Sequence, residues 1–158
     1  VDANLLLADA ASAEGETERD DLKRQQLFNQ AVDAFKFVRN YRTEAKDVLE
    51  IDLQVGQTMI RKMNAEKALG LEDKASDSRG RAIVAFKQLI FSTDPNSATL
   101  APYLERAFLA SIPLELEHKK FEAAADSCEE YLSSFGSSRN AAQVRTWLNQ
   151  ANIEISAK

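Results

Sequence analysis

Leu27-Phe28-Asn29-Gln30-Ala31-Val32-Asp33-Ala34-Phe35-Lys36-Phe37-Val38 sets apolar side chains at 27, 28, 31, 34, 35 and 38. Steps of three and four bring these positions onto one stripe of an α-helix, so the segment predicts a helix with one face turned inward. Gln30, Asp33, Lys36 and Arg39 fall on the opposite face. Downstream, Ala45, Val48, Leu49, Asp52, Val55, Met59 and Met63 draw a second stripe, interrupted by one acid. Leu53, Gly56 and Ile60 widen it to another flank, which predicts a helix covered on two sides. A third stripe runs Ala82, Ala85, Phe86, Leu89, Ile90 and stops at Asp94-Pro95, because the residue before a proline is pushed out of helical geometry. Leu100 to Leu116 and Phe121 to Phe135 supply two more, and Val144, Trp147, Leu148, Ala151 and Ile155 the last.

Composition agrees with this pattern. Five Gly and three Pro in 158 residues leave few breakers, and the abundant Ala, Leu, Glu, Lys and Gln lose little entropy in helices. With a short helix over 3–11, the expectation is an all-α chain of about seven helices in a single domain, 1–158. Two polar stretches, 14–21 and 70–80, read as solvated loops or extended helix ends. Asp20 and Asp21 suit a helix start, where a carboxylate accepts from unpaired amides, and Ser97 or Thr99 and Ser138 are the other expected caps.

Several function classes are disfavoured at once. One Cys leaves no disulfide framework or multi-Cys zinc site, and one His leaves little for a metal centre. A formal charge of −5 argues against binding phosphate backbones, so nucleic acid is not an expected partner. No apolar run of about 18 residues suggests membrane insertion. The opening Val1-Asp2-Ala3-Asn4, without Met, a basic region or a cleavage site, reads as a processed product or a piece of a longer chain.

The chain also repeats itself. Phe28-x-x-Ala31-x-x-x-Phe35-x-x-Val38 matches Phe121-x-x-Ala124-x-x-x-Cys128-x-x-Tyr131 and, in part, Arg79-x-x-Ala82-x-x-x-Phe86-x-x-Leu89. A small residue three after an aromatic lets a neighbouring helix approach, and the large residue four further on fills the space beyond. These blocks resemble the second helix of tetratricopeptide (TPR) repeats, and Val55-Gly56-x-x-Met59, more weakly Leu109-Ala110, resembles the first. The matched Ala residues are 51 and 42 apart, against about 34 in a regular repeat, which places inserted loops before the second and fourth helices. The resemblance implies a right-handed TPR-like α-solenoid: antiparallel hairpins over about 3–41, 44–93 and 99–135, closed by a capping helix over about 138–156.

Chemical motifs are sparse. Glu115-x-x-His118 has the spacing of a di-iron ligand pair, yet a second such motif is missing, and a solvated helix end explains His118 as well. A hydrolase resting on His118 has no accompanying nucleophile elbow. Asp73-x-x-x-Asp77-x-x-Gly80 loosely resembles a calcium loop but has Ser78 where glycine belongs and no closing Glu. There is no glycine-rich phosphate loop. Cys128 and Trp147 lie on apolar stripes and read as core, and the acidic run 14–21 reads as a solvated loop more readily than as a site for a basic partner.

The expected function is therefore noncatalytic, without cofactor or metal: a module that binds a protein or peptide on the concave wall formed by the first helix of each pair. The wall residues expected are Glu50, Gln57, Ile60 and Arg61, with Tyr103, Arg106 and Ser111 from the next pair. The alternative is a structural segment of a larger assembly that self-associates through Leu5, Leu6 and Leu7 of the first helix. By resemblance only, such stacks point toward the bacterial periplasm or cell envelope.

Overall fold

The stripe at 27–38 is buried as its spacing demands. In a computed structural model that describes residues 2–157, Phe28, Ala31 and Val38 are fully buried, with Ala34 and Phe35 nearly so. The fold is all-helical: α1 (Asp2–Thr17), α2 (Asp21–Arg39), α3 (Ala45–Ala68), α4 (Glu72–Ser92), α5 (Ala101–Glu117), α6 (Phe121–Phe135) and α7 (Ala141–Ser156), with no strand among the described residues. No helix among them is long and apolar enough to cross a membrane. The chain divides into two compact units, one ending at Ala85 and the other beginning at Phe86, so the division falls within α4.

In the first unit α1 packs on α2, and α3 lies against both. Ala8, Ala34, Phe35, Val38 and Ile51 form one core cluster, with Leu5 and Val55 packed on its edge. Asp52, the acid that interrupts the second stripe, is explained by its partner: it accepts from Arg39 Nε at 2.6 Å and Nη2 at 3.1 Å, tying α2 to α3. In the second unit α6 packs on α5, and α7 on both. Its core holds Ala124, Ala125 and Ala151, flanked by Leu116, Leu148 and Ile155. Phe108, Tyr131 and Phe135 form an aromatic cluster with ring centroids 5.3 to 6.4 Å apart. Pro113 stands inside α5 without ending it.

The inserted loops expected from the sequence are absent. Residues 14–17 continue α1 and 72–80 belong to α4, so the first three pairs are each joined by only three residues, 18–20, 69–71 and 118–120. Glu72 and Asp73 stand in the first turn of α4, where the positive end of the helix dipole favours carboxylates. Gly15 has its own reason to lie in a helix: a Cβ there would come within 2.9 Å of the Phe28 ring, so its absence lets α1 and α2 approach closely. Asp20 caps α2 as expected, accepting from the Lys23 amide at 2.8 Å. Ser97, Thr99 and Ser138 are not helix caps; Leu100 and Asn140 precede α5 and α7 without a side-chain cap.

The first helices end at 17, 68 and 117, so the hairpins recur at intervals of 51 and 49 rather than 51 and 42. The turn fixes the register: Ala75 corresponds to Ala124, and Ala82 to Tyr131. The second and third turns are equivalent bond for bond. Leu71 N–H donates to Glu66 O at 2.9 Å and Gly70 N–H to Lys67 O at 3.0 Å; Lys120 N–H donates to Glu115 O at 2.9 Å and Lys119 N–H to Leu116 O at 3.0 Å. This is the 6→1 and 5→2 pattern that ends helices on a left-handed residue, here Gly70 (φ 71°) and Lys119 (φ 57°). A side chain in that conformation carries a cost of about 1 kcal/mol that glycine avoids. Lys119→Gly is accordingly expected to stabilise the second unit by about 0.5–1 kcal/mol, read as a rise in melting temperature, and Gly70→Ala to destabilise the first by a similar amount. Unchanged melting in both variants would contradict this account of the turns.

Each of these two hairpins is also latched by a buried carboxylate. Ser78 Oγ donates to Glu66 Oε2 at 2.6 Å, and Ser127 Oγ to Glu115 Oε2 at 2.7 Å, both across twelve residues. A lysine attends each: Lys62 Nζ lies 3.9 Å from Glu66, and Lys87 Nζ 3.1 Å from Glu115.

Candidate functional site

Glu50, Gln54, Gln57 and Arg61 are spaced by four, three and four and so share one stripe of α3. Leu5, Asp9, Ser12 and Glu16 have the same spacing on α1. The two stripes meet in a furrow between the helices. At one end Arg61 closes it, with Nε 3.4 Å from Glu16 Oε1 and Nη1 donating to Ser12 Oγ at 3.4 Å. At the other end it opens into a groove of about 290 Å³ lined by Leu5, Asp9, Phe35, Arg42, Asp47, Glu50, Ile51 and Gln54. Six of these eight residues come from α1 and α3; Phe35 comes from α2 and Arg42 from the connection that follows it. Gln54 donates to Glu50 at 3.1 Å, which holds the two side chains side by side along the groove wall.

The expected wall residues therefore have different fates. Glu50 lines the groove, Gln57 and Ile60 are half-buried on α3, and Arg61 is exposed and engaged with α1. Tyr103 and Arg106 lie on α5 in the second unit, half-buried and exposed respectively. Ser111 is corrected: it is fully buried, because position 111 lies seven residues, two helical turns, beyond Leu104 on the inward stripe of α5. Leu5, expected at a self-association surface, and Phe35, expected in the core, also line the groove, as do Asp9, Arg42, Asp47, Ile51 and Gln54, which the sequence did not single out; the matching spacing on α1 is the signal that could have located its α1 wall.

The second unit holds a separate polar cluster. Glu105 on α5 accepts from Tyr131 Oη at 2.7 Å, from Asn140 Nδ2 at 3.2 Å and from Ser138 Oγ, the residue expected to be a cap. Burial pushes the Glu105 carboxyl up, but these donors outweigh it and hold it below the ordinary value. Burial raises the Tyr131 hydroxyl in turn. The cluster pins α5, α6 and the connection before α7 together, a structural task.

The remaining chemical candidates resolve toward structure. Glu115 is engaged by Lys87 and Ser127, and His118 is the residue that ends α5. The segment 73–80 is helical and cannot wrap a calcium ion. Burial, and then the neighbouring Glu115 charge, push the Cys128 thiol up to about 12, so its thiolate is scarce at neutral pH. Trp147 is half-buried rather than fully enclosed. Among the described residues no group of three or more His, Cys, Asp or Glu is disposed to hold a metal ion. No protein-family model matches the chain, and no curated protein or solved structure is significantly similar to it.

Proposed function

We propose that the chain is a noncatalytic protein-binding module, a TPR-like stack of helical hairpins that takes a peptide or partner helix along the furrow of its first helices. One observation carries the reading: the groove draws six of its eight lining residues from α1 and α3, the first helices of hairpins that recur at nearly constant spacing. The contact of α3 with both α1 and α2, and of α7 with both α5 and α6, is the packing a stack of hairpins uses and supports the same reading. Display of random peptides against the purified chain tests it. Enriched peptides are expected to bind about tenfold more weakly to a Glu50→Ala/Gln54→Ala variant, altered at two groove-lining positions of α3, whose helical spectrum is unchanged. A selection that enriches nothing, or peptides indifferent to these groove substitutions, would overturn the proposal.

A second reading has its own observation. Leu6 and Leu7 on α1 are 71% and 42% exposed, an apolar surface suited to self-association. Light scattering across a concentration series separates the two: a mass that rises with concentration and falls back on Leu6→Glu favours a self-assembling structural piece.

A further inference from the structure

The groove at the open end of the furrow has a chemistry more specific than a generic peptide site. Its floor is apolar and closed: Phe35 and Ile51 are 3% and 5% exposed, with Leu5 half-buried beside them. Its rim carries three carboxylates, Asp9, Asp47 and Glu50, against one guanidinium, Arg42. Neither Asp9 nor Asp47 enters an ion pair among the described residues, whereas most other charges of this unit's helix faces are matched, as Arg39 is with Asp52 and Arg61 with Glu16. The volume of about 290 Å³ lies at the lower edge of the about 300–1,000 Å³ typical of small-molecule sites, which suits one large side chain better than a cofactor.

We infer that this groove selects a peptide segment bearing a lysine or arginine beside an apolar residue. The alkyl stem of such a side chain lies along Ile51 and Phe35, while its charged head reaches Asp9 and Asp47 at the rim. An acidic segment meets the same carboxylates and is rejected, so the rim supplies specificity by attraction and repulsion together. The net charge of −5 extends that preference beyond the groove, favouring approach of basic segments. This inference rests on the peptide-binding reading and adds the class of partner to it.

Two displayed peptide libraries test it, identical in their randomised flanks and differing only in one fixed central residue, Lys in one and Glu in the other. The Lys library is expected to enrich and the Glu library to fail. The best Lys peptide is expected to bind about tenfold more weakly to an Asp9→Asn/Asp47→Asn variant, and to weaken as salt is raised. Both substitutions lie at unpaired rim positions, and melting of the variant checks that the fold is kept. Equal enrichment of the two libraries, or Lys peptides indifferent to the double variant, would overturn this inference while leaving peptide binding standing. Enrichment of neither would overturn both.

Discussion

Ala31→Arg is expected to lower the melting temperature of the first unit by about 20 °C. Ala31 is fully buried on the inward face of α2, between Phe28 and Phe35 along the same stripe. An arginine there must either place a charge among apolar side chains or push α2 off its neighbours, and either route costs about 3–5 kcal/mol. For a unit of this size each kcal/mol shifts melting by about 4–8 °C. Ala82→Arg is the matched experiment one repeat on, since Ala82 is equally buried in α4. Gln30→Arg is the control: it adds the same side chain on the exposed face of α2 and is expected to change stability by less than about 0.5 kcal/mol. Melting of the Ala31 variant at the wild-type temperature would mean that this stripe does not face the core.

The second large effect concerns Glu115, whose carboxylate is almost wholly buried and bound by Ser127 and Lys87. Glu115→Ala leaves the buried Ser127 hydroxyl and the Lys87 ammonium without that acceptor and opens a cavity. Breaking a buried pair typically costs about 3–5 kcal/mol; Lys87 keeps 21% exposure and can turn to water, so the expected loss is about 2–3 kcal/mol. Glu115→Gln keeps the hydrogen bond from Ser127 and is expected to cost about 1 kcal/mol.

The Glu115 and Glu105 carboxyls of the second unit differ in their pH dependence. Burial raises the Glu115 carboxyl above its ordinary 4.5, against the lowering influence of Ser127 and Lys87. A raised carboxyl binds its proton more tightly in the folded state, so its stabilising contribution is full below 4.5 and is lost as pH rises through the folded value. Glu105, held below 4.5, has the opposite sign: its contribution is present above 4.5 and is lost as pH falls through its folded value. Melting curves of Glu115→Gln and Glu105→Gln against wild type between about pH 3 and pH 7 should therefore diverge in opposite senses. Parallel curves would show that neither carboxylate is perturbed by its surroundings.

Much of the architecture was written in local periodicity. The stripes at 27–38, 82–90 and 144–155 mark helices whose inward residues are buried or half-buried, and Asp20 starts α2 where its side chain can cap it. These features depend on residues within a turn or two of one another. The repeat was legible only in part. Matching Ala31 to Ala82 gave 51, which is also the interval between the ends of α1 and α3, whereas matching Ala82 to Ala124 followed residue identity and gave 42 against the 49 between the ends of α3 and α5. Lys119 hid that turn, because a lysine occupies the left-handed position that Gly70 marks plainly.

Other features depended on side chains far apart in the chain. Arg24 sits four residues before Phe28 and is fully buried, with Nη2 on Asp21 and with Nε and Nη1 lacking a partner among the described residues; a basic residue gives no sign in sequence that it will be enclosed. Glu66 looks like an ordinary surface acid, and Glu115 like half of a metal-ligand spacing, until Ser78 and Ser127 are brought over them by the hairpin turn. By itself, the sequence determined that this protein is built of helices, where most of them lie and which faces turn inward, because helix formation and burial are governed by spacing over three and four residues. Only the tertiary structure decided the repeat register, the pairing of buried charges and the groove between α1 and α3, because each requires residues separated by dozens of positions to meet, and local pattern carries no information about which ones do.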